Sequence, residues 1–277
     1  MIDMIKQKIQ ALFKEKKIAA FLGLVEQNGQ VAPHLFKEGE TLEGFSLGDR
    51  KKAGDARYPL NKILITIARK YPDDILGVLV RGCDERGLNS LYRLNQLDPE
   101  KIVALGIACP GELALACECK KPFPDDLIAG QKVGIEDSVK AGDATLAAMD
   151  GLDIDVRFSF WTDQFSKCIK CYGCRDICPM CFCKECSLEC DDLISKGDLP
   201  VDIPVFHLTR ALHMADRCVD CGLCDEACPA DIPLRLLYKK TAQIMGSEFG
   251  FTSGINKNES SPLSMMGPAP KKVNPAE

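Results

Sequence analysis

Apolar residues recur at two spacings in the first 110 positions, and each spacing predicts a different kind of element. A period of three to four residues, with lysines between, predicts amphipathic helices over 2–13 and 59–71. A continuous apolar run over 18–25 predicts a buried strand. The Asn-Gly pair within 27–30 predicts a tight turn that leads into a short strand over 31–36.

The next stretch predicts a strand, a helix and a second strand. Residues 74–80 and 101–108 are almost entirely apolar, whereas 85–97 follows Asp84, a residue suited to cap a helix. Strands that are apolar on both faces are typical of parallel sheets covered by helices. We therefore expect an α/β fold for the N-terminal part, with a βαβ unit in a short parallel sheet.

Two cysteines follow the carboxyl ends of these strands, where open α/β sheets bind their ligands. Cys83 follows the first strand and Cys109 the second, so adjacent strands would bring the two thiols together. With Cys117 and Cys119 they form a candidate site for a [4Fe–4S] cluster or another metal, which becomes the third site once the two cysteine runs described below are counted. The alternative is that Cys83 and Cys109 are ordinary buried residues at strand ends, since free cysteine is often buried.

The rest of the chain divides by composition. A final strand is expected over 152–160, after which the density of cysteines rises and marks a second module. The C-terminal tail is rich in Ser, Pro, Gly and Asn. We expect an α/β domain over 1–158, a cysteine-rich α+β module over 159–240, and an extended or disordered tail over 241–277.

Length and charge exclude several classes of protein. The chain of 277 residues has a formal net charge of −5, which gives no electrostatic reason to expect nucleic acid as a partner. No apolar stretch approaches the roughly 20 residues needed to span a bilayer, and the N-terminus lacks the apolar core of a signal peptide. We expect a cytoplasmic protein, whose 16 cysteines bind metals or iron–sulfur clusters rather than form disulfides.

Eight of the cysteines form two copies of one motif, C-x2-C-x2-C-x3-C-P. A thiol at every third residue can wrap three corners of a cubane, whereas the fourth corner needs a ligand from elsewhere. In two-cluster ferredoxins with this spacing, the last Cys of each run serves the other cluster. Zinc ribbons instead use separated C-x2-C pairs. The ligands expected for the first [4Fe–4S] cluster are Cys168, Cys171, Cys174 and Cys228. Those expected for the second are Cys218, Cys221, Cys224 and Cys178.

Four further cysteines lie in the segment between the two runs. Their close spacing supports a fourth cluster or a zinc site, and the alternative is that one or two of them are small hydrophobic residues without a ligand role. With four thiols at each of four sites, all 16 cysteines would be used. These four residues are Cys181, Cys183, Cys186 and Cys190.

No pattern indicates a catalytic group. The chain has no G-x-G-x-x-G after a strand, no P-loop and no H-E-x-x-H, and no nucleophile is paired with a base. His207 and His213 have helical spacing and are expected to be ordinary helix residues near the clusters. We predict no catalytic residue.

Four segments together resemble a known family. "RGCDERGL", "ALGIACPG", "KCIKCYGCRDICPMCFCKECSLEC" and "FHLTRALHMADRCVDCGLCDEACPADIPL" resemble the β subunit of deazaflavin-dependent formate dehydrogenases and hydrogenases, over roughly 75–235. The resemblance implies a ferredoxin-like module in which the cysteines of the two runs bind clusters. It also implies FAD and reduction of the deazaflavin coenzyme, but the glycine-rich segment expected near the N-terminus for FAD is missing.

The sequence therefore predicts an iron–sulfur electron-transfer subunit of an anaerobic oxidoreductase complex, with no catalysis of its own. Its expected partners are the catalytic subunit of a formate dehydrogenase or hydrogenase, or a heterodisulfide-reductase-like flavoprotein. Two rivals remain open. One is a flavin-containing enzyme that reduces a deazaflavin or nicotinamide coenzyme, and the other is a zinc-stabilised scaffold around a two-cluster module.

Overall fold

The computed structural model describes residues 1–49, 54–190, 192, 194 and 205–264. Over these residues the strands are β1 Ala20–Gln27, β2 Gln30–Lys37, β3 Phe45–Ser46, β4 Leu76–Val80, β5 Ile102–Ile107 and β6 Leu127–Ala129. They form one sheet of order β2-β1-β4-β5-β6, with β3 paired to β1 outside this path. β1, β4, β5 and β6 are parallel, whereas β2 and β3 are antiparallel to β1. The α/β prediction is confirmed, with a mixed sheet of mostly parallel strands.

Helices cover this sheet and make up most of the cysteine-rich part. The first group comprises α1 Ile2–Lys14, α2 Leu60–Lys70, α3 Gly82–Arg93, α4 Gly111–Ala116 and α5 Glu136–Asp150. The second comprises α6 Ile154–Ser166, α7 Gly173–Asp176, α8 Val205–Met214, α9 Leu223–Glu226 and α10 Leu234–Phe249. Short 3-10 turns lie at Pro99–Lys101, Ser187–Glu189 and Pro262–Ser264. In the part of the chain that the structure describes, no helix is long and apolar enough to cross a membrane.

The predicted strand–helix–strand unit is present, and its two strands are neighbours. β4 and β5 pair in parallel, with Leu76 opposite Ile102. The helix between them begins at Gly82, earlier than predicted, and Asp84 caps it from within the first turn, where its carboxylate accepts the Arg81 N–H at 2.9 Å. This entry into α3 brings Cys83 to the carboxyl edge of the sheet.

One hydrophobic core joins the sheet to the cysteine-rich helices. Buried residues of α1 and the strands belong to the same core as Phe165, Cys174 and Tyr238. α6 spans the predicted boundary at 158, and its Trp161 stacks on Phe165 with ring centroids 5.5 Å apart. The cysteine-rich helices therefore pack directly against the α/β part.

The strand expected over 152–160 is wrong, because these residues lead into helix α6. Asp153 is the N-cap of this helix, and its carboxylate accepts the N–H of Asp155 at 2.9 Å. A capping side chain that satisfies a free helical N–H stabilises the helix start. The apolar residues that suggested a strand remain on the surface, with Ile154 69% and Phe158 64% exposed.

The α+β character expected for the second module is also wrong over the described residues, since 159–190 and 205–240 contain helices and turns but no strand. Helices α6, α8 and α10 flank the cysteine runs, and within the runs the backbone itself prevents a strand. Both runs contain residues with positive φ, which interrupt an extended backbone. These residues are Lys170, Tyr172, Asp220 and Gly222.

The tail differs from the expectation as well, because α10 continues to Phe249 and ends at Gly250, whose φ is +63°. The chain beyond it packs on α3. Phe251 is buried under the guanidinium of Arg93, 4.9 Å from the ring centroid, and Ser253 shares a 3.0 Å hydrogen bond with Ser90. The remainder of the expected tail, 265–277, lies outside the described residues.

The packing of β5 on β6 makes a first testable prediction. A Cβ at Gly106 would lie 2.0 Å from the carbonyl oxygen of Asp126, so we expect Gly106→Ala to lower the free energy of unfolding by roughly 2–4 kcal/mol. Gly246→Ala is the control, because no atom lies within 4 Å of its added Cβ; in α10 it should be neutral or stabilise by up to about 1 kcal/mol. Urea unfolding of both variants measures the difference, and equal effects would contradict this close approach.

Candidate metal centres

The two cysteine runs fold into the same loop. In each run, the residue before the second cysteine and the residue after it have positive φ, between 52° and 79°. Each loop then continues into a single helical turn, α7 in the first run and α9 in the second. The fourth cysteine follows, and its N–H donates to the carbonyl of Arg175 in one run and of Asp225 in the other, both at 3.2 Å. The repeated sequence is therefore also a repeated backbone.

This loop directs backbone N–H groups at the sulfur atoms. Four pairs have this arrangement: Lys170 to Cys168, Gly173 to Cys171, Asp220 to Cys218 and Leu223 to Cys221. In the first three pairs the nitrogen lies 3.4 to 3.5 Å from the sulfur. An N–H donated to sulfur stabilises the thiolate, which is the form that binds metals.

The thiols expected to bind the first cluster surround one small cavity, whose lining includes Cys168, Cys171, Cys174 and Cys228. Burial raises the pKa of Cys168, and negative charge on Cys171 and Cys228 raises it further. Cys228 therefore lies among the cysteines of the first run, although it is the last cysteine of the second.

The thiols expected to bind the second cluster lie deeper. Burial raises the pKa of Cys218 to about 12, and charge on Cys221 adds to this effect. Burial raises the pKa of Cys224 as well, followed by charge on Cys221 and Cys218. The hydrogen bond with Cys181 and burial raise the pKa of Cys178, and charge on Cys221 makes a smaller contribution, so the last cysteine of the first run approaches the second run.

The four N-terminal cysteines lie together at the carboxyl edge of β4 and β5. Burial raises the pKa of Cys83, and charges on Cys221 and Cys109 contribute to the increase. Burial also raises the pKa values of Cys109 and Cys117, and charge on Cys119 contributes to both. Cys83 and Cys221 line a shared cavity. The third group therefore borders the second run.

The cysteines between the two runs are less closely grouped. A cleft of about 410 Å³ is lined by Cys181, Cys183 and Cys186, but not by Cys190, which is exposed. A hydrogen bond with Cys178, together with the charge of Arg210, lowers the pKa of Cys181 to about 5. The structure thus brings three of the four expected residues to one cleft.

Arginines accompany the cysteines outside the two runs. Arg81 donates to Cys109 at 3.7 Å, Arg57 to Cys117 at 3.7 Å and Arg210 to Cys181 at 3.2 Å. Two more arginine–thiol hydrogen bonds join Arg86 to Cys119 and Arg175 to Cys186. A buried guanidinium is stabilised by a negative partner, which a thiolate supplies and a neutral thiol does not.

Two of these arginines connect the third group to the second run. Arg86 is only 6% exposed, and its Nε and Nη2 donate to the carbonyl of Val219 at 3.2 and 2.9 Å. Arg57 donates to the carbonyl of Cys221 at 2.9 Å and pairs with Glu226. Both contacts fix the N-terminal thiols against the loop of the second run.

Several buried side chains have polar atoms without a hydrogen-bond partner among the described residues, and two of them, His207 and Tyr238, are uncharged groups next to the runs. His207 lines the cavity of the first group. Burial lowers the pKa of His207 to about 4, so the ring is neutral at pH 7 and has one N–H to donate. The Tyr238 hydroxyl interacts with the charges of Cys174, Cys224 and Cys178. Inorganic sulfide beside the thiols would accept both hydrogen bonds, so the donors present fit a [4Fe–4S] cluster.

A site for a single metal ion such as zinc needs a different arrangement of ligands from a cluster site. Among the described residues, no group of three or more His, Cys, Asp or Glu side chains is arranged to hold one metal ion. Zinc needs three or four ligand atoms around a single centre, whereas each thiolate of a cubane binds its own iron.

Comparison with known proteins adds an independent finding. No family model matches the chain. It is 42% identical over 98 residues, 35% of this chain and 26% of the relative, to the F420-dependent formate dehydrogenase subunit beta of Methanocaldococcus jannaschii. It is 41% identical over 110 residues, 40% of this chain and 28% of the relative, to the F420-dependent formate dehydrogenase 1 subunit beta of Methanococcus maripaludis. The resemblance to this β-subunit family is confirmed. The match covers about a quarter of the length of these curated relatives.

Sequence reasoning missed the arginines and Tyr238. Two of them had a local signal, since Arg81 and Arg86 flank Cys83 in the "RGCDERG" stretch that carries the β-subunit resemblance. Arg57 and Arg210 had none, because their thiol partners are 60 and 29 residues away in the chain. Only the fold brings these pairs together.

Proposed function

We propose that the chain is an iron–sulfur electron-transfer subunit of an anaerobic oxidoreductase complex of the formate dehydrogenase, hydrogenase or heterodisulfide reductase type. The observation that carries this proposal is the duplicated cysteine loop, in which N–H groups point at sulfur and the last cysteine of each run interacts electrostatically with a thiol of the other. The similarity to formate dehydrogenase β subunits supports the oxidoreductase class. A bound [4Fe–4S] cluster supplies one-electron transfer.

The protein's own groups would hold the clusters and set their potentials. The first has Cys168, Cys171, Cys174 and Cys228 as its ligands, and the second has Cys218, Cys221, Cys224 and Cys178. N–H groups directed at the thiolates stabilise negative charge, and burial opposes it, so both act on the energy of the added electron. Burial also raises the pKa of most of these thiols, so assembly must release protons and is favoured at higher pH.

The N-terminal cysteines are the proposed third station. Cys83, Cys109, Cys117 and Cys119 adjoin the second run, and three arginines donate to three of them. Three positive groups around four thiols suit a site whose thiolates carry excess negative charge. In this arrangement electrons pass between the first run, the second run and the α/β part, and the partners determine the direction.

Cys181, Cys183, Cys186 and Cys190 remain candidates for a fourth cluster or zinc, with Cys190 apart from the cleft that the other three line. The 16 cysteines are all free, which supports a location in the reducing cytoplasm. The proposed partners are the catalytic subunit of the complex or a heterodisulfide-reductase-like flavoprotein.

A flavin-containing enzyme that reduces a deazaflavin or nicotinamide is the second candidate. The observation that favours it is a cleft of about 820 Å³ beside the second run, large enough for a cofactor. Arg57 and Arg235 line this cleft, but so do four carboxylates. A phosphate-bearing cofactor would meet more negative than positive charge there, which favours the electron-transfer proposal.

Metal and flavin analysis of anaerobically purified protein tests the proposed function. We expect at least about 12 iron atoms and as many sulfides per chain, four for each of the two runs and for the third station, without flavin. About 8 iron atoms with stoichiometric flavin would favour the second candidate. Iron clearly below about 8 per chain, or zinc in its place, would overturn the proposal.

A further inference from the structure

The cleft beside Cys181, Cys183 and Cys186, here called the insert cleft, reaches towards the second run from the surface. It has a volume of about 410 Å³ and lies between α2, residues 180–189 and α8. Cys181 at its wall is hydrogen-bonded to Cys178, and Cys178 contacts Met214, another wall residue, at 3.8 Å. A molecule bound in the insert cleft would therefore lie close to a proposed ligand of the second cluster.

The insert cleft is basic on an acidic protein. Its lining includes six Lys and Arg side chains, Lys62, Arg69, Arg175, Lys184, Arg210 and Arg217. The lining carboxylates are three, Asp176, Glu185 and Glu189. The chain as a whole has a net charge of −5, and the 820 Å³ cleft has two arginines against four carboxylates. Even with Cys181 as a thiolate, positive charge exceeds negative in the insert cleft.

Several of these positive charges are not neutralised by carboxylates of the described residues. Lys62 donates to the carbonyl of Arg175 at 3.1 Å, and Arg69 to the side-chain oxygen of Gln96 at 2.6 Å, both neutral acceptors. Arg210 is 2% exposed and donates to the Cys181 thiol at 3.2 Å, so the accessible charge comes from side chains such as Lys62 and Arg69 rather than from Arg210. Positive side chains without a carboxylate partner favour the binding of a negatively charged surface.

We propose that the insert cleft is the docking site of an acidic protein electron carrier, which exchanges one electron with the second cluster. The proposal rests on the proposed function. In the exchange the carrier is oxidised as the cluster is reduced, or the reverse, and no bond is made or broken. Weak electron-transfer complexes bury little surface and depend on complementary charge for fast association, and positive groups from three separate elements rim this cleft.

Stopped-flow reduction of the complete protein tests this. The probes are a purified, reduced ferredoxin of net negative charge and the methyl viologen radical cation, which becomes the dication as it gives up one electron; each is used as the reductant. With the ferredoxin, the second-order rate constant should fall about tenfold or more between roughly 0.02 and 0.5 M ionic strength. Arg69→Glu with Lys184→Glu should lower it about tenfold at low salt. The rate constant for reduction by the viologen radical cation should not fall in this double variant.

The matched control is Lys8→Glu with Lys14→Glu, which makes the same change in net charge on exposed positions of α1. We expect this control to change the ferredoxin rate by less than about twofold. Equal losses in both double variants, or a rate independent of salt, would overturn the proposal. Phosphate inhibition beyond that of chloride at equal ionic strength would indicate a small-anion site instead, and would also overturn it. Failure of viologen to reduce the wild-type protein would contradict the proposed function itself.

Discussion

Replacing Cys221 with Ser should remove one cluster and leave the other, so that iron falls by about four atoms per chain. Cys221 is buried in the second run, where it accepts the N–H of Leu223 and interacts electrostatically with Cys218 and Cys178. A serine oxygen is a poor substitute for a soft thiolate. The first group keeps its own cavity, so its iron should remain. Iron analysis with EPR of the reduced protein measures the loss, and unchanged iron would contradict the ligand role.

A sharper comparison comes from Cys228, which belongs to the second run in sequence but to the first group in space. Cys228→Ser should therefore alter the same EPR signal as Cys174→Ser, and a different signal from Cys221→Ser. If Cys228→Ser instead matched Cys221→Ser, the crossed assignment would be wrong. A serine at each position also controls for a general loss of stability.

The second large effect is expected at Arg210, the buried cation between the two runs. Its guanidinium donates to the carbonyl of Cys174 at 2.6 Å and to Cys181 at 3.2 Å. Burial disfavours its charge, yet Tyr238 and the nearby thiols raise the pKa of Arg210, so it is positive at every working pH. A fixed positive charge stabilises the reduced, more negative form of a neighbouring cluster and raises its potential.

Arg210→Met should therefore lower the midpoint potentials of the adjacent clusters. A unit charge at roughly 8 Å, with an effective dielectric constant of about 20, contributes about 2 kcal/mol, or about 90 mV for one electron. Arg210→Lys keeps the charge and should shift the potentials by less than half of that. EPR-monitored redox titration measures both.

Arg93→Met is the matched control, because Arg93 also donates to a backbone carbonyl, that of Asp216 at 3.0 Å, and packs on a ring, but bonds no thiol. The midpoint potentials of the clusters in the Arg93→Met variant should match those of the wild type. Equal shifts in Arg93→Met and Arg210→Met, or a rise in potential in Arg210→Met, would contradict the role of the Arg210 charge.

Local patterns were sufficient where structure depends on local chemistry. The all-apolar runs around β4 and β5 predicted a parallel pair, and the pairing of Leu76 with Ile102 bears this out. The same patterns failed at 152–160, where apolar residues stay exposed and the cap at Asp153 starts a helix instead. An apolar pattern predicts buried residues, so it gives the wrong element at 152–160, where no described part of the chain covers them.

The candidate centres divide in a similar way. The spacing of the two runs predicted which cysteines to group, because a thiol at every third residue shapes its own loop. The electrostatic surroundings were not predictable, since Arg57 meets Cys117 and Arg210 meets Cys181 only through the packing of distant elements. The composition after residue 240 is typical of disorder, but Phe251 is buried against Arg93 of α3, a contact that composition cannot predict.

The most direct test of the central claim is an anaerobic EPR-monitored redox titration of the unmodified protein. The account predicts signals of reduced [4Fe–4S] clusters that develop in one-electron steps, with interacting spins because the two loops pack against each other at Gly173 and Ala227. A protein that develops no reducible iron–sulfur signal after anaerobic purification and reconstitution would contradict it.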